Sequence, residues 1–186
     1  MPYDDIVLEA EDKMEKAVEV MLGEFKGVRT GRASPGLVEG VRVDYYGAPT
    51  PLKALASITI PEPRMIMIKP FDVGAIGDIE KAIQKSDLGI NPQSDGKILR
   101  LIIPPLSEER RKQMAKLVKE VGEKAKVSLR NVRRDANQVA DTEEKDKSIS
   151  EDEKKRTREE VDRLIKEYEA KVQDLVDKKT KEVMEG

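Results

Sequence analysis

The sequence predicts an α+β protein: an elongated antiparallel three-helix bundle that carries an inserted small β/α/β domain, with a bent, two-armed (L-like) outline. Three observations predict it. Apolar residues recur at spacings of three and four over residues 4–29, 106–141 and 150–184. Pro2 apart, every proline lies between Gly31 and Pro105, where short strand-like runs replace the helical period. Long helices with one apolar stripe each cannot shelter it alone, and three of them bury their stripes against one another.

The first helix is expected from residue 4 to about 29, with Asp4 or Asp5 as its cap. Its stripe is Ile6, Val7, Ala10, Met14, Ala17, Val18, Met21, Leu22, Phe25 and Val28. At Arg29-Thr30-Gly31-Arg32 the character changes. Strands are expected at Val41–Tyr46, Ala56–Ile60, Met65–Lys69 and Ile98–Ile103, with an amphipathic helix over about Val73–Lys85. Tyr45, Tyr46 and Phe71 are expected to pack in the core or at the edge of this small domain. The domains are therefore 1–30 plus 105–186 for the bundle and 31–104 for the insert.

The second long helix begins after Pro104-Pro105 with Ser107 as N-cap and Glu108 and Glu109 in the first turn. Met114, Leu117, Val118, Val121, Ala125, Leu129, Val132, Ala136 and Val139 fall on one side of it. Lys112, Lys116, Lys119, Lys126, Arg130, Arg133 and Arg134 fall on the other, interrupted by Glu123. That basic stripe is roughly 33 Å long. It reads either as the solvated outer face of a bundle or as a track for phosphates. The polar run Asp141–Lys147 reads as a fraying helix end and a turn. Ser150 and Glu153 form a capping box for the third helix, whose stripe is Val161, Leu164, Ile165, Tyr168, Val172, Leu175, Val176 and Val183.

Composition narrows the chemistry. The chain has 186 residues with 39% charged and 3% aromatic, and a net charge of −2, so any polyanion binding must come from local clustering. Neither cysteine nor histidine is present, which removes thiol nucleophiles, disulfides, zinc sites of those ligands and histidine acid–base schemes. No D-x-D-x-D-G loop occurs, and Gly74-Ala75-Ile76-Gly77 lacks the lysine of a phosphate loop. No enzyme activity, metal or cofactor is expected. The acidic N-terminal stretch and the lack of long apolar runs predict a cytoplasmic protein without a membrane span.

Six stretches occur in an order that resembles the ribosome recycling factor family: Arg29–Pro35, Tyr45–Leu52, Pro61–Arg64, Lys85–Gly89, Pro104–Arg111 and Arg130–Asn137. The resemblance runs from Asp5 through the third helix. It implies a three-helix domain and an inserted β/α/β domain held at roughly a right angle. It also implies binding to the large ribosomal subunit after termination, and splitting of the post-termination ribosome with elongation factor G and GTP. A monomer that contacts ribosomal RNA is expected. Arg130 and Arg133 match family positions at the RNA contact, and Arg29 and Arg32 match the corner motif. Arg134, Lys112, Lys116, Lys119 and Lys126 join the site through the helical projection. Thr30, Gly31, Pro104 and Pro105 are the expected hinge. After Asn137 the chain departs from the lysine- and leucine-rich continuation, with Gln138, Val139, Ala140 and Asp141. A helical chaperone that grips partner chains is the alternative; it predicts exposed apolar grooves and salt-insensitive binding.

Overall fold

The computed structural model describes residues 1–185, which fall into two compact units. One comprises Met1–Val28 and Lys112–Glu185, the other Arg29–Arg111.

The first unit is built from three long helices: α1 (Tyr3–Lys26), α4 (Glu108–Lys145) and α5 (Glu151–Glu185). Lys124 meets Glu24, and the terminal ammonium of Met1 meets Glu143, so α4 runs antiparallel to α1. Arg130 meets Glu169 and Arg158 meets Asp141, so α4 is also antiparallel to α5. The shared core contains Met14, Val18 and Met21 of α1, Val118 and Leu129 of α4, and Val161, Ile165 and Val172 of α5. Leu22 and Leu117, expected in the stripes, are 37% and 39% exposed, because each sits at the margin of its apolar face. Buried Thr157 and Ala140 extend the core beyond the predicted stripes, and the Thr157 hydroxyl donates to the Glu153 carbonyl. Midway along α4, Gly122 lets Val176 of α5 approach the backbone; a Cβ there would overlap the valine methyl.

Polar groups fix the packing. The Tyr168 hydroxyl of α5 donates to Glu15 of α1 at 2.9 Å, and Lys171 joins the same carboxylate at 3.2 Å. These bonds hold the Glu15 carboxyl below the usual carboxylate range, the tyrosine bond contributing most. Burial, reinforced by that bond, pushes the Tyr168 phenol up to about 12.

Helix ends follow the caps. Ser107 Oγ accepts from the Arg110 amide at 3.2 Å. Ser150 and Glu153 form the reciprocal capping box: Glu153 N donates to Ser150 Oγ and Ser150 N to Glu153 Oε2. At α1 the expected cap differs. The helix starts at Tyr3, and Asp4 and Asp5 lie inside its first turn, where their charge suits the helix dipole without capping it. The Asp141–Lys147 run differs in part: Asp146 and Lys147 form the expected turn, but the residues before them do not fray. Helix α4 continues to Lys145, because Asp141 pairs with Arg158 and Glu144 with Lys154 across to α5.

The second unit holds a four-stranded antiparallel sheet in the order β3-β4-β6-β5, from β3 (Ala56–Glu62), β4 (Met65–Pro70), β5 (Gln93–Ser94) and β6 (Leu99–Ile102). Ile66 and Ile68 of β4 and Leu99 and Leu101 of β6 alternate into a core closed by Ile79 and Ile83 of α3 (Ile76–Lys85). A separate ribbon pairs β1 (Arg42–Tyr45) with β2 (Ala48–Pro51), and a single turn, α2 (Leu52–Leu55), leads into β3. Strand β2 carries Pro49 and Pro51, which hide it from propensity reasoning; a two-stranded ribbon tolerates them because each strand has a free edge. Tyr46 and Phe71 are 86% and 71% exposed, not packed as expected. Tyr46 sits at the ribbon turn with φ 51°, and Phe71 directly follows β4, which leaves both rings outside the sheet's inner face.

Candidate nucleic-acid interface

The candidate site lies along α4, whose apolar side is consumed by the bundle core. Lys112, Lys116, Lys119, Arg130, Arg133 and Arg134 are all exposed. The helical period sets them within one arc of the surface, over about six turns. Lys126 belongs to the same arc but is only 19% exposed at its side chain. Its ammonium donates to Gln173 of α5 at 2.7 Å and lies 3.5 Å from Glu123.

The arginines differ among themselves. Arg130 Nε lies 3.7 Å from Glu169 Oε1, and Arg133 Nη1 lies 3.9 Å from Asp162 Oδ1, both carboxylates belonging to α5. Their side chains remain 48% and 45% exposed. Both distances exceed hydrogen-bonding range, so these are charge contacts that leave the guanidinium N–H groups available. Arg134 makes no ion pair with any described residue. Together with Asn137, Gln138 and Asp141, the three arginines line an open groove of about 430 Å³. Asn137 Oδ1 is buried there without a hydrogen-bond partner among the described residues. Asp141, held by Arg158 at 2.5 Å, closes the end of the groove with negative charge.

This arrangement can take up an anionic chain. Arginine forks can grip phosphate oxygens in pairs and keep their charge. Asn137 lines the groove beside the arginines, although the sequence motif that contains it assigns it no role. Its position one turn after Arg133 was the available signal. Asp162, Glu169 and Gln173 carried no such signal, because their approach depends on the register of α5 against α4.

Arg29 and Arg32 belong to the other unit. Arg29 Nη2 donates to the carbonyls of Asp87 and Leu88 at 3.1 and 3.3 Å, tying down the loop after α3. The Arg32 side chain is exposed, while its amide donates to Thr30 Oγ1. The two chain segments of the expected hinge are anchored in the same way. The Ala33 amide donates to the Pro63 carbonyl and the Ile103 amide to the Arg64 carbonyl, each at 2.7 Å. Between them, Thr30 and Gly31 are buried, and Gly31 adopts φ 78° with its α-carbon facing Leu106 and Pro105. Pro104 and Pro105 are exposed.

Among the described residues, no group of three or more acidic side chains could hold a metal ion, and no helix is long and apolar enough to cross a membrane.

Comparison with known proteins gives one consistent result. A family model described as "Ribosome recycling factor" matches residues 21–184. The ribosome-recycling factor of Oleidesulfovibrio alaskensis is 52% identical over 182 residues, covering 98% of this chain and 99% of its own. That of Bacillus licheniformis is 51% identical over 180 residues, covering 97% of each chain. A solution structure of a ribosome recycling factor aligns with a TM-score of 0.78 at 42% identity, over 99% of this chain and 98% of that one. A second structure aligns with a TM-score of 0.68 at 40% identity, over 99% of this chain and all of that one. It is described as models for the T. thermophilus ribosome recycling factor and the E. coli elongation factor G bound to the E. coli post-termination complex.

Proposed function

Since the chain belongs to the ribosome recycling factor family, we propose that it binds the large ribosomal subunit after termination. There, with elongation factor G and GTP, it splits the post-termination complex so that ribosomes are reused. The partners of the solved neighbour, elongation factor G and a post-termination complex, support this reading.

The observation that carries the binding mode is the arginine-lined groove on α4. In this reading Arg130, Arg133 and Arg134 grip ribosomal RNA phosphates. Lys112, Lys116 and Lys119 extend the positive field, to which Lys126 adds charge while bound to Gln173 of α5. Arg32 offers a further cation, and Arg29 serves the loop it already holds. The helical domain, residues 1–30 plus 105–186, is the anchor. The inserted domain, residues 31–104, is the lever on which elongation factor G pushes, with Thr30, Gly31, Pro104 and Pro105 as the joint. The factor works as a cytoplasmic monomer, performs no chemical step and needs no cofactor of its own; GTP hydrolysis occurs on its partner.

The test is a subunit-splitting assay on post-termination ribosomes. Splitting that requires this chain, elongation factor G and GTP together supports the proposal. Splitting that proceeds equally without the chain, or with the chain and no elongation factor G, overturns it.

A further inference from the structure

Two carboxylates on α5 stand beside the groove, and what they do there depends on how loosely they hold their partners. Glu169 and Asp162 face Arg130 and Arg133 at 3.7 and 3.9 Å. Further along the same helix pair, the Lys154 ammonium donates to Glu144 at 3.2 Å, within hydrogen-bonding range. The α4–α5 interface can therefore form tight pairs, and at the two arginines it does not.

We infer that Glu169 and Asp162 are internal counter-anions that limit how tightly Arg130 and Arg133 hold a nucleic-acid backbone, and so hasten release. The inference rests on the reading of the groove as a phosphate site. Exposed ion pairs of this length are weak, whereas a guanidinium–phosphate contact is bidentate and charge-assisted. An arriving phosphate therefore displaces the carboxylate from the arginine. The carboxylate cannot leave, because it is fixed to α5, and it then repels the bound anion. A second effect opposes the first: a nearby carboxylate also orients the guanidinium before binding. At 3.7–3.9 Å, beyond hydrogen-bonding range, there is no directional bond to orient it, so repulsion wins. A factor that must leave its site after each round gains a faster exit from this arrangement.

The test compares full-length wild type with E169Q, D162N and the double variant, bound to purified large ribosomal subunits. Asp174→Asn is the charge control, since Asp174 pairs with Lys178 within α5. Dissociation rate, equilibrium binding at two salt concentrations and melting temperature are measured. Neutralising both carboxylates is expected to tighten binding about three- to tenfold, mainly through slower dissociation, and to steepen its salt dependence. D174N should leave all of these near wild type. Unchanged or weaker binding by a double variant that melts like wild type overturns the inference, as does an equal gain from D174N. A separate arm, Arg133→Ala, reports on the phosphate site itself: unaltered binding there removes the groove reading, while weakened binding there with an inert double variant removes only this inference.

Discussion

Gly122 of α4 lies so close to Val176 of α5 that the space a Cβ would occupy is already filled by a valine methyl. Glycine in mid-helix ordinarily costs about 1 kcal/mol against alanine. Here that cost permits the close approach of two helices. Gly122→Ala is expected to lower stability on balance, because overpacking costs typically about 1–3 kcal/mol and Val176 is β-branched with few alternative rotamers. Thermal or denaturant unfolding measures it. Val176→Ala in the same chain should recover part of the loss, a non-additivity that a double-mutant cycle reads directly.

The Tyr168–Glu15 bond gives stability a pH dependence at both extremes. Glu15 titrates below the usual carboxylate range when folded, so its contribution is present above the unfolded pKa and fades as pH falls through the folded one. Tyr168 is raised from 10.0 to about 12, so its contribution is complete below pH 10 and is lost as pH rises through that window. Tyr168→Phe should melt lower than wild type at neutral pH. The gap between the two should shrink as pH falls below the usual carboxylate range and again between pH 10 and 12; a constant gap across the range would contradict the assignment.

The α5 cap is worth testing by itself. Ser150→Ala removes the acceptor for the Glu153 amide and is expected to cost about 1 kcal/mol. Hydrogen exchange should rise most in the first turn of α5, and large-subunit binding should be unaffected.

For Arg29, the bonds to the Asp87 and Leu88 carbonyls predict a structural effect. Arg29→Ala should accelerate amide exchange over residues 86–90 and destabilise the sheet unit by on the order of 0.5–1 kcal/mol. Weakened RNA binding with unchanged exchange would assign Arg29 to the interface instead.

Much of this architecture could be read before any coordinates, because helical period, caps and punctuation are local signals. Ser107, Ser150 and Glu153 act as predicted, and the four strands with β-branched or apolar runs appear within a residue or two of their expected ends. What escaped was set by tertiary context. Strand β2 is hidden by Pro49 and Pro51, and the last turn of α4 is kept helical by partners on α5 that no local pattern reveals. Tyr46 and Phe71 look like core residues by composition, and only their places at a turn and beyond a strand end expose them. At the candidate site, the basic arc was legible from spacing alone. Which cations are open, which are tied, and how closely Asp162 and Glu169 stand depended on the meeting of two helices far apart in sequence.

The central claim is that the Arg130–Arg133–Arg134 groove holds ribosomal RNA by charge. Co-sedimentation with large ribosomal subunits at low and high salt, for wild type and Arg133→Ala, tests it most directly. Wild-type binding should fall steeply with salt, while the variant should bind more weakly with a flatter salt dependence and a nearly unchanged melting temperature. Binding that is insensitive to salt, or a well-folded Arg133→Ala that binds like wild type, would contradict the claim.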